Sequence, residues 1–182
     1  MTIDEYIGQA KQRIAELDEA KLIMPIASAI HAKMLKRIFT DGKKASGSIG
    51  VYSTNPTYES KKAFKNKSPF KAVGKTGKTK FKDGQPHKSM YLPFGYKQLK
   101  DIQGYESKFV NLVYTSDLRN DFASGIMTDG PAVVVGIKRK LNQDKIQWLK
   151  EKYGSDLFAL TPGEKDLFKH EAVKAANKYL FG

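Results

Sequence analysis

Apolar residues recur at helical spacing from the start of the chain. Ile3, Ile7, Ala10, Ile14 and Leu17 alternate with Lys11, Gln12, Arg13, Glu16 and Asp18. Thr2 and Glu5 have the spacing of a capping box, so the pattern predicts an amphipathic helix running to about Ala20. Pro25 lacks an amide donor and is expected to interrupt or restart that helix. A second run, Ile26, Ala29, Ile30, Met34 and Ile38, predicts another helix, stopped by Asp41-Gly42. Alternation then replaces the helical period. Ser48 to Ser53 reads as a short strand with Ile49 and Val51 on one face.

The pattern dissolves between Thr54 and Ser89, where neither period is sustained, and this stretch is expected to be a basic extended arm or loop. Order resumes near Met90. Gly95 to Gln103 is expected to be a short helix, Phe109 to Thr115 a strand, and Asp117 to Phe122 a turn or second strand. Val133-Val134-Val135, within Pro131 to Lys138, is the strongest strand signal, with Asp129-Gly130 as its preceding turn. Asn142 is placed to cap a helix through Tyr153 with Ile146 and Leu149 inward, and Gly154 fits its C-terminal end. Thr161-Pro162-Gly163-Glu164 combines a cap, a first-position proline and a capping box before the last helix. Helices, then strands, then helices indicate an α+β fold. The expected architecture is a single domain over 1–182, with N- and C-terminal helices packed on a small antiparallel sheet and the 54–89 arm inserted in it.

Charge sharpens the picture of that arm. The chain of 182 residues carries 32 Lys+Arg against 19 Asp+Glu, a net +13. Residues 54–89 hold ten lysines against Glu59 and Asp83, a net +8. Tyr58, Phe64, Phe70 and Phe81 are interleaved with these lysines. Three readings follow: a single-strand nucleic-acid binder using charge and stacking, a solvated loop whose aromatics anchor it to its own domain, or an assembly arm that orders against a neighbouring subunit. The third is preferred. It assigns partner binding to Lys61, Lys62, Phe64, Lys65, Phe70, Lys71, Lys75, Lys78, Lys80, Phe81 and Lys82. Trp148 reads either as partly buried under a neighbouring element or as an aromatic anchor at a subunit contact.

Signals of chemistry are sparse. There are no cysteines, which excludes disulfides and cysteine zinc sites. His31, His87 and His170 lie on separate elements without metal-ligand spacing. Gly74-Lys75-Thr76-Gly77-Lys78-Thr79 lacks the earlier glycine of a phosphate loop, since Pro69 and Ala72 occupy the required positions. Asp117 and Asp121 are expected to pair with Arg119 or Lys138 and not to bind two metals. No cofactor, metal or small-molecule substrate is implied. The acidic N-terminus and the lack of a long apolar run predict a soluble intracellular product with no membrane partner.

Thr115-Ser116-Asp117-Leu118-Arg119 resembles the Thr-Gly-x-Leu-Arg element of phage tail-completion and virion-morphogenesis proteins, with Ser116 where that element has Gly. In those families a strand ending in Val-Gly follows, here Val134-Val135-Gly136. A helix with a terminal Gly comes next, matched by Lys145 to Gly154. A segment like Phe-x-Leu-Ser/Thr-x-x-Glu then leads into the last helix, here Phe158 to Glu164. The resemblance runs from about Met90 to the end. The Thr54–Ser89 segment has no counterpart in it. The lysine-rich composition and Phe94-Gly95-Tyr96-Lys97-Gln98-Leu99 resemble sequences from phages of Bacteroides-type hosts, including crAss-like ones.

The resemblance implies a structural virion protein of the head–tail joint, assembled in the bacterial host cytoplasm. It would be a homo-oligomeric ring contacting portal and tail proteins, with DNA contact secondary and no catalytic residues. The alternative is a basic nucleic-acid-binding protein acting outside the virion.

Overall fold

Helix α1 (Ile3–Ala15) opens the computed structural model, which describes residues 3–70, 78–80, 86–114, 116–129 and 132–181. The fold is α+β. The expected break between the first two helices comes before Pro25. Asp18 is extended and accepts the Lys21 amide at 3.0 Å, capping α2 (Glu19–Phe39), which runs through Pro25. Pro25 is exposed, so water can satisfy the carbonyl that its missing amide leaves free. Beyond it Ile26, Ile30, Met34 and Ile38 are buried, as the helical period predicts.

Among the described residues the expected small antiparallel pairing is divided among three sheets. Strands β1 (Lys43–Lys44) and β2 (Gly47–Ser48) form a tight hairpin. The predicted strand over Ser48 to Ser53 is not formed. Gly50, at φ 130°, turns the chain, so Ile49 is buried while Val51 is exposed and the two do not share a face. Strands β3 (Thr57–Ser60), β4 (Lys78–Lys80) and β5 (Pro86–Leu92) lie in the order β3-β5-β4, with Tyr58 opposite Tyr91 and Lys78 opposite Lys88 in register.

Gly95 opens α3 (Gly95–Ile102) at φ 60°, and a Cβ there would stand 2.3 Å from the Asn55 carbonyl. Only glycine fits both the dihedral and the approach. Residues Phe109 to Tyr114 are irregular and not the expected strand: Leu112 has φ 55°, which breaks any extended run. Asp117 to Phe122 belongs to a helix, α4 (Asp117–Ala123), and not to a turn or strand. The predicted strand at Val133–Val135 is formed, as β7 (Ala132–Val135), and it pairs with β6 (Ile126–Asp129), a strand the pattern did not predict; Gly130 and Pro131 between them lie outside the described residues.

Helix α5 (Lys140–Tyr153) starts ahead of Asn142, which is buried inside it rather than capping it. Gly154 ends it as expected, with its amide donating to the Lys150 carbonyl at 2.9 Å. Helix α6 (Pro162–Phe181) has the full capping box: the Thr161 amide donates to Glu164 Oε2 at 2.7 Å and the Glu164 amide to Thr161 Oγ1 at 3.1 Å.

Two cores result. In the larger, α2 supplies Ile30, Met34, Ile38 and Phe39, met by Leu118 and Phe122 of α4, Leu149 of α5, and Leu157. His31 sits here with its ring 4.8 Å from that of Phe122. Burial pushes its pKa down, only partly opposed by a backbone hydrogen bond at Phe122, so it stays neutral at physiological pH. The smaller core joins Phe64 to Leu92 and Leu99, with Phe70 packed on it. Thr54 to Ser89 is therefore not a free arm at its ends. Its described parts include β3, a 3-10 turn at Lys61–Ala63 and most of β5.

Candidate functional site

Three of the predicted partner-binding residues, Lys61, Lys62 and Lys65, are exposed around the 3-10 turn. Phe64 is not available to a neighbour. It is 1 % exposed, because it fills the space between β5 and α3, and its ring meets that of Phe70 edge-to-face at 5.2 Å. Phe70 is half-buried. For these two phenylalanines the reading in which aromatics anchor the segment to its own domain holds. The backbones of Lys78 and Lys80 lie on β4. Lys71, Lys75, Phe81 and Lys82 lie outside the described residues, as does the Gly74–Gly77 part of the phosphate-loop-like sequence.

Trp148 is 55 % exposed, with Lys152 Nζ 4.8 Å from the centre of its ring. It stands at the rim of a cleft of about 470 Å³ that sequence reasoning did not find. On α5 the positions Lys145, Trp148, Leu149 and Lys152 follow the i, i+3, i+4, i+7 spacing of one helix face, and all four line this cleft. On α3 the same spacing puts Tyr96 and Lys100 on its opposite wall. Tyr52 and Tyr114 complete the aromatic lining. The sequence signal was present in Tyr96, Leu99 and Lys100 at i, i+3, i+4, but nothing local distinguishes an inward lysine from an outward one.

Lys100 is the unusual member. It is 1 % exposed, yet among the described residues no carboxylate pairs with it. Its ammonium donates to the Val113 carbonyl and stands 5.0 Å from the Tyr52 ring centre, and 5.1 Å from those of Tyr105 and Tyr114. Three electron-rich ring faces and one carbonyl replace water around it. Burial pushes its pKa down to about 8, leaving it charged at neutral pH. The tyrosines remain neutral phenols: burial raises Tyr52 to about 12, and raises Tyr96 and Tyr114 as well. Tyr52 is fixed by Asn111, donating to its Oδ1 at 3.1 Å and accepting from its amide at 3.3 Å. The wall between α3 and α4 is held in sparsely populated backbone, with Leu112 at φ 55° and Ser116 at φ 65°.

Asp121 pairs with neither Arg119 nor Lys138. Its Oδ2 accepts from Asn142 Nδ2 at 2.7 Å and from the Arg139 amide at 3.2 Å, with the Arg139 guanidinium 3.5 Å away. Burial raises its pKa, but these donors together outweigh burial and hold the carboxyl below its ordinary value. The arrangement ties α4 to the start of α5, so it is a structural joint for one wall of the cleft. Among the described residues no group of three His, Asp or Glu side chains could hold a metal ion, and no helix is long and apolar enough to cross a membrane.

No family model matches this chain, and neither a curated protein nor a solved structure matches it.

Proposed function

We propose that this chain is a structural subunit of a tailed-phage virion, forming a ring at the head–tail joint and performing no catalysis. The observation that carries the reading is the outer face of α1. Ile3, Ile7 and Ile14, which the sequence pattern places on one apolar face, are exposed, Ile3 by 80 % and Ile14 by 57 %. At 100° per residue these three positions fall in one sector about 40° wide. Tyr6 and Arg13 point elsewhere and hold α1 on α6: Tyr6 stacks on Phe181 with ring centres 6.2 Å apart, and Arg13 Nη1 donates to the Leu180 carbonyl at 2.8 Å. Val173 on α6 is exposed as well. A contiguous stripe of isoleucine on a helix already docked by its other face is the kind of surface that a subunit contact covers.

Ser116 gives independent support. It occupies the glycine position of the tail-completion-like motif and adopts φ 65°, the backbone region glycine enters freely. The residue type expected there matches the conformation found.

The test is the mass of the purified protein by light scattering at increasing concentration. The expected result is a closed oligomer. Ile7→Lys with Ile14→Glu should reduce it to monomer while leaving the circular dichroism unchanged, because neither side chain supports the fold. A monomer at all concentrations, binding DNA with a steep loss in salt, would instead support the nucleic-acid-binding alternative.

A further inference from the structure

We propose that the cleft between α3 and α5 binds a small aromatic carboxylate, with its carboxylate on Lys100 and its ring against the tyrosines. This goes beyond the ring reading above and does not depend on it. The cleft's described lining carries Lys100, Lys145 and Lys152 and no carboxylate. Lys100 is buried, whereas Lys145 and Lys152 are exposed at the rim, where they attract an anion on approach. An ammonium has three N–H donors. Among the described residues the Val113 carbonyl is the one oxygen that accepts from Lys100. The three ring faces around it attract its charge, but a ring face is a weaker acceptor than an oxygen. Carboxylate oxygens would meet the remaining donors in charge-assisted hydrogen bonds and supply the missing counter-charge.

Charge and shape select the ligand. One buried ammonium balances one negative charge. A phosphate monoester brings about two at neutral pH and would leave an excess out of water, whereas a carboxylate brings one. A volume of about 470 Å³ is that of a small-molecule site. The Tyr52 and Tyr96 rings lie 5.6 Å apart, and those of Tyr96 and Tyr114 6.3 Å apart, so they form a continuous aromatic wall. A flat ring meets such a wall by offset stacking or by edge-to-face contact. The wall is held before any ligand enters: the Tyr52 hydroxyl donates to Asn111 Oδ1, and that of Tyr114 to the Ala63 carbonyl. Ordering it therefore costs little on binding.

Trp148 is the only tryptophan and stands at the rim, so its indole N–H gives one isolated NMR signal at the site. The full chain is titrated with naphthoate, naphthylmethanol, naphthyl phosphate and acetate. Naphthoate should shift this signal saturably. Naphthylmethanol, which lacks the charge, should bind about tenfold more weakly or worse. Acetate, which lacks the ring, should give no saturable shift, and naphthyl phosphate should bind no more tightly than naphthoate. Lys100→Met keeps the stem and removes the charge, and should weaken naphthoate by about tenfold or more with the circular dichroism unchanged. Lys174→Met, outside the cleft, should leave binding unchanged. Naphthylmethanol or acetate matching naphthoate on the wild-type chain overturns the proposal without recourse to any variant. Tighter binding of naphthyl phosphate, or naphthoate binding that survives Lys100→Met, overturns it as well. If oligothymidylate shifts the signal and naphthoate does not, the cleft takes nucleic acid and the proposal is wrong. None of these readouts depends on oligomer mass, so the ring reading stands or falls separately.

Discussion

Replacing Glu164 by alanine should lower the free energy of unfolding by about 3–5 kcal/mol, the range for breaking a buried ion pair from one side. Glu164 serves two structures at once. It accepts the Thr161 amide to close the α6 capping box, and its Oε1 accepts from Arg37 Nε at 3.1 Å. Both side chains of that pair are nearly buried. Arg37 also donates to the Ala159 carbonyl at 2.8 Å, so it fastens α2 to the segment leading into α6. Without Glu164 the guanidinium stays in place with no counter-charge. The double variant Arg37→Met/Glu164→Leu should recover a clear part of the loss, since it removes the stranded charge as well as the pair. Urea unfolding of the two single variants and the double variant measures this. Additive losses would show that the two side chains act independently.

Phe64→Ala should cost a further large amount, about 3–5 kcal/mol, as for a buried phenylalanine emptied to a cavity. Phe64 is the side chain through which the lysine-rich segment joins the domain, packed on Leu92 and Leu99. Its loss should also expose Lys61, Lys62 and Lys65 to trypsin earlier than in the wild type. A change of less than about 0.5 kcal/mol, the scale of a surface substitution, would mean that the segment is detachable after all.

The contrast between Phe64 and Glu164 shows what the sequence could and could not convey. The α6 capping box spans four residues, and its spacing alone specifies the contacts. The buried stripe of α2 and the β7 strand were legible for the same reason, since each is a local signal, whereas β6, the partner of β7, was not predicted. Phe64 depends on partners far along the chain, and ten lysines around it in sequence obscured that dependence. In Phe109 to Tyr114 strand propensity lost to tertiary demands, because the chain there turns at Leu112 to supply the Val113 carbonyl to Lys100. Helix α4 is seven residues long, too short for a helical period to stand out. The α1 stripe was legible as an apolar face, but what covers it was not. Periodicity reports that a face will be covered, not whether the cover comes from the same chain. The cleft was not legible, because it exists only where α3, α5 and an irregular segment converge.

The central reading, that this chain is a ring subunit at a phage head–tail joint, is tested most directly by electron cryomicroscopy of the virion proposed to carry it. The expected map shows a closed ring of copies between portal and tail, with the Ile3–Ile14 faces covered. A particle that joins head to tail without this chain would contradict it.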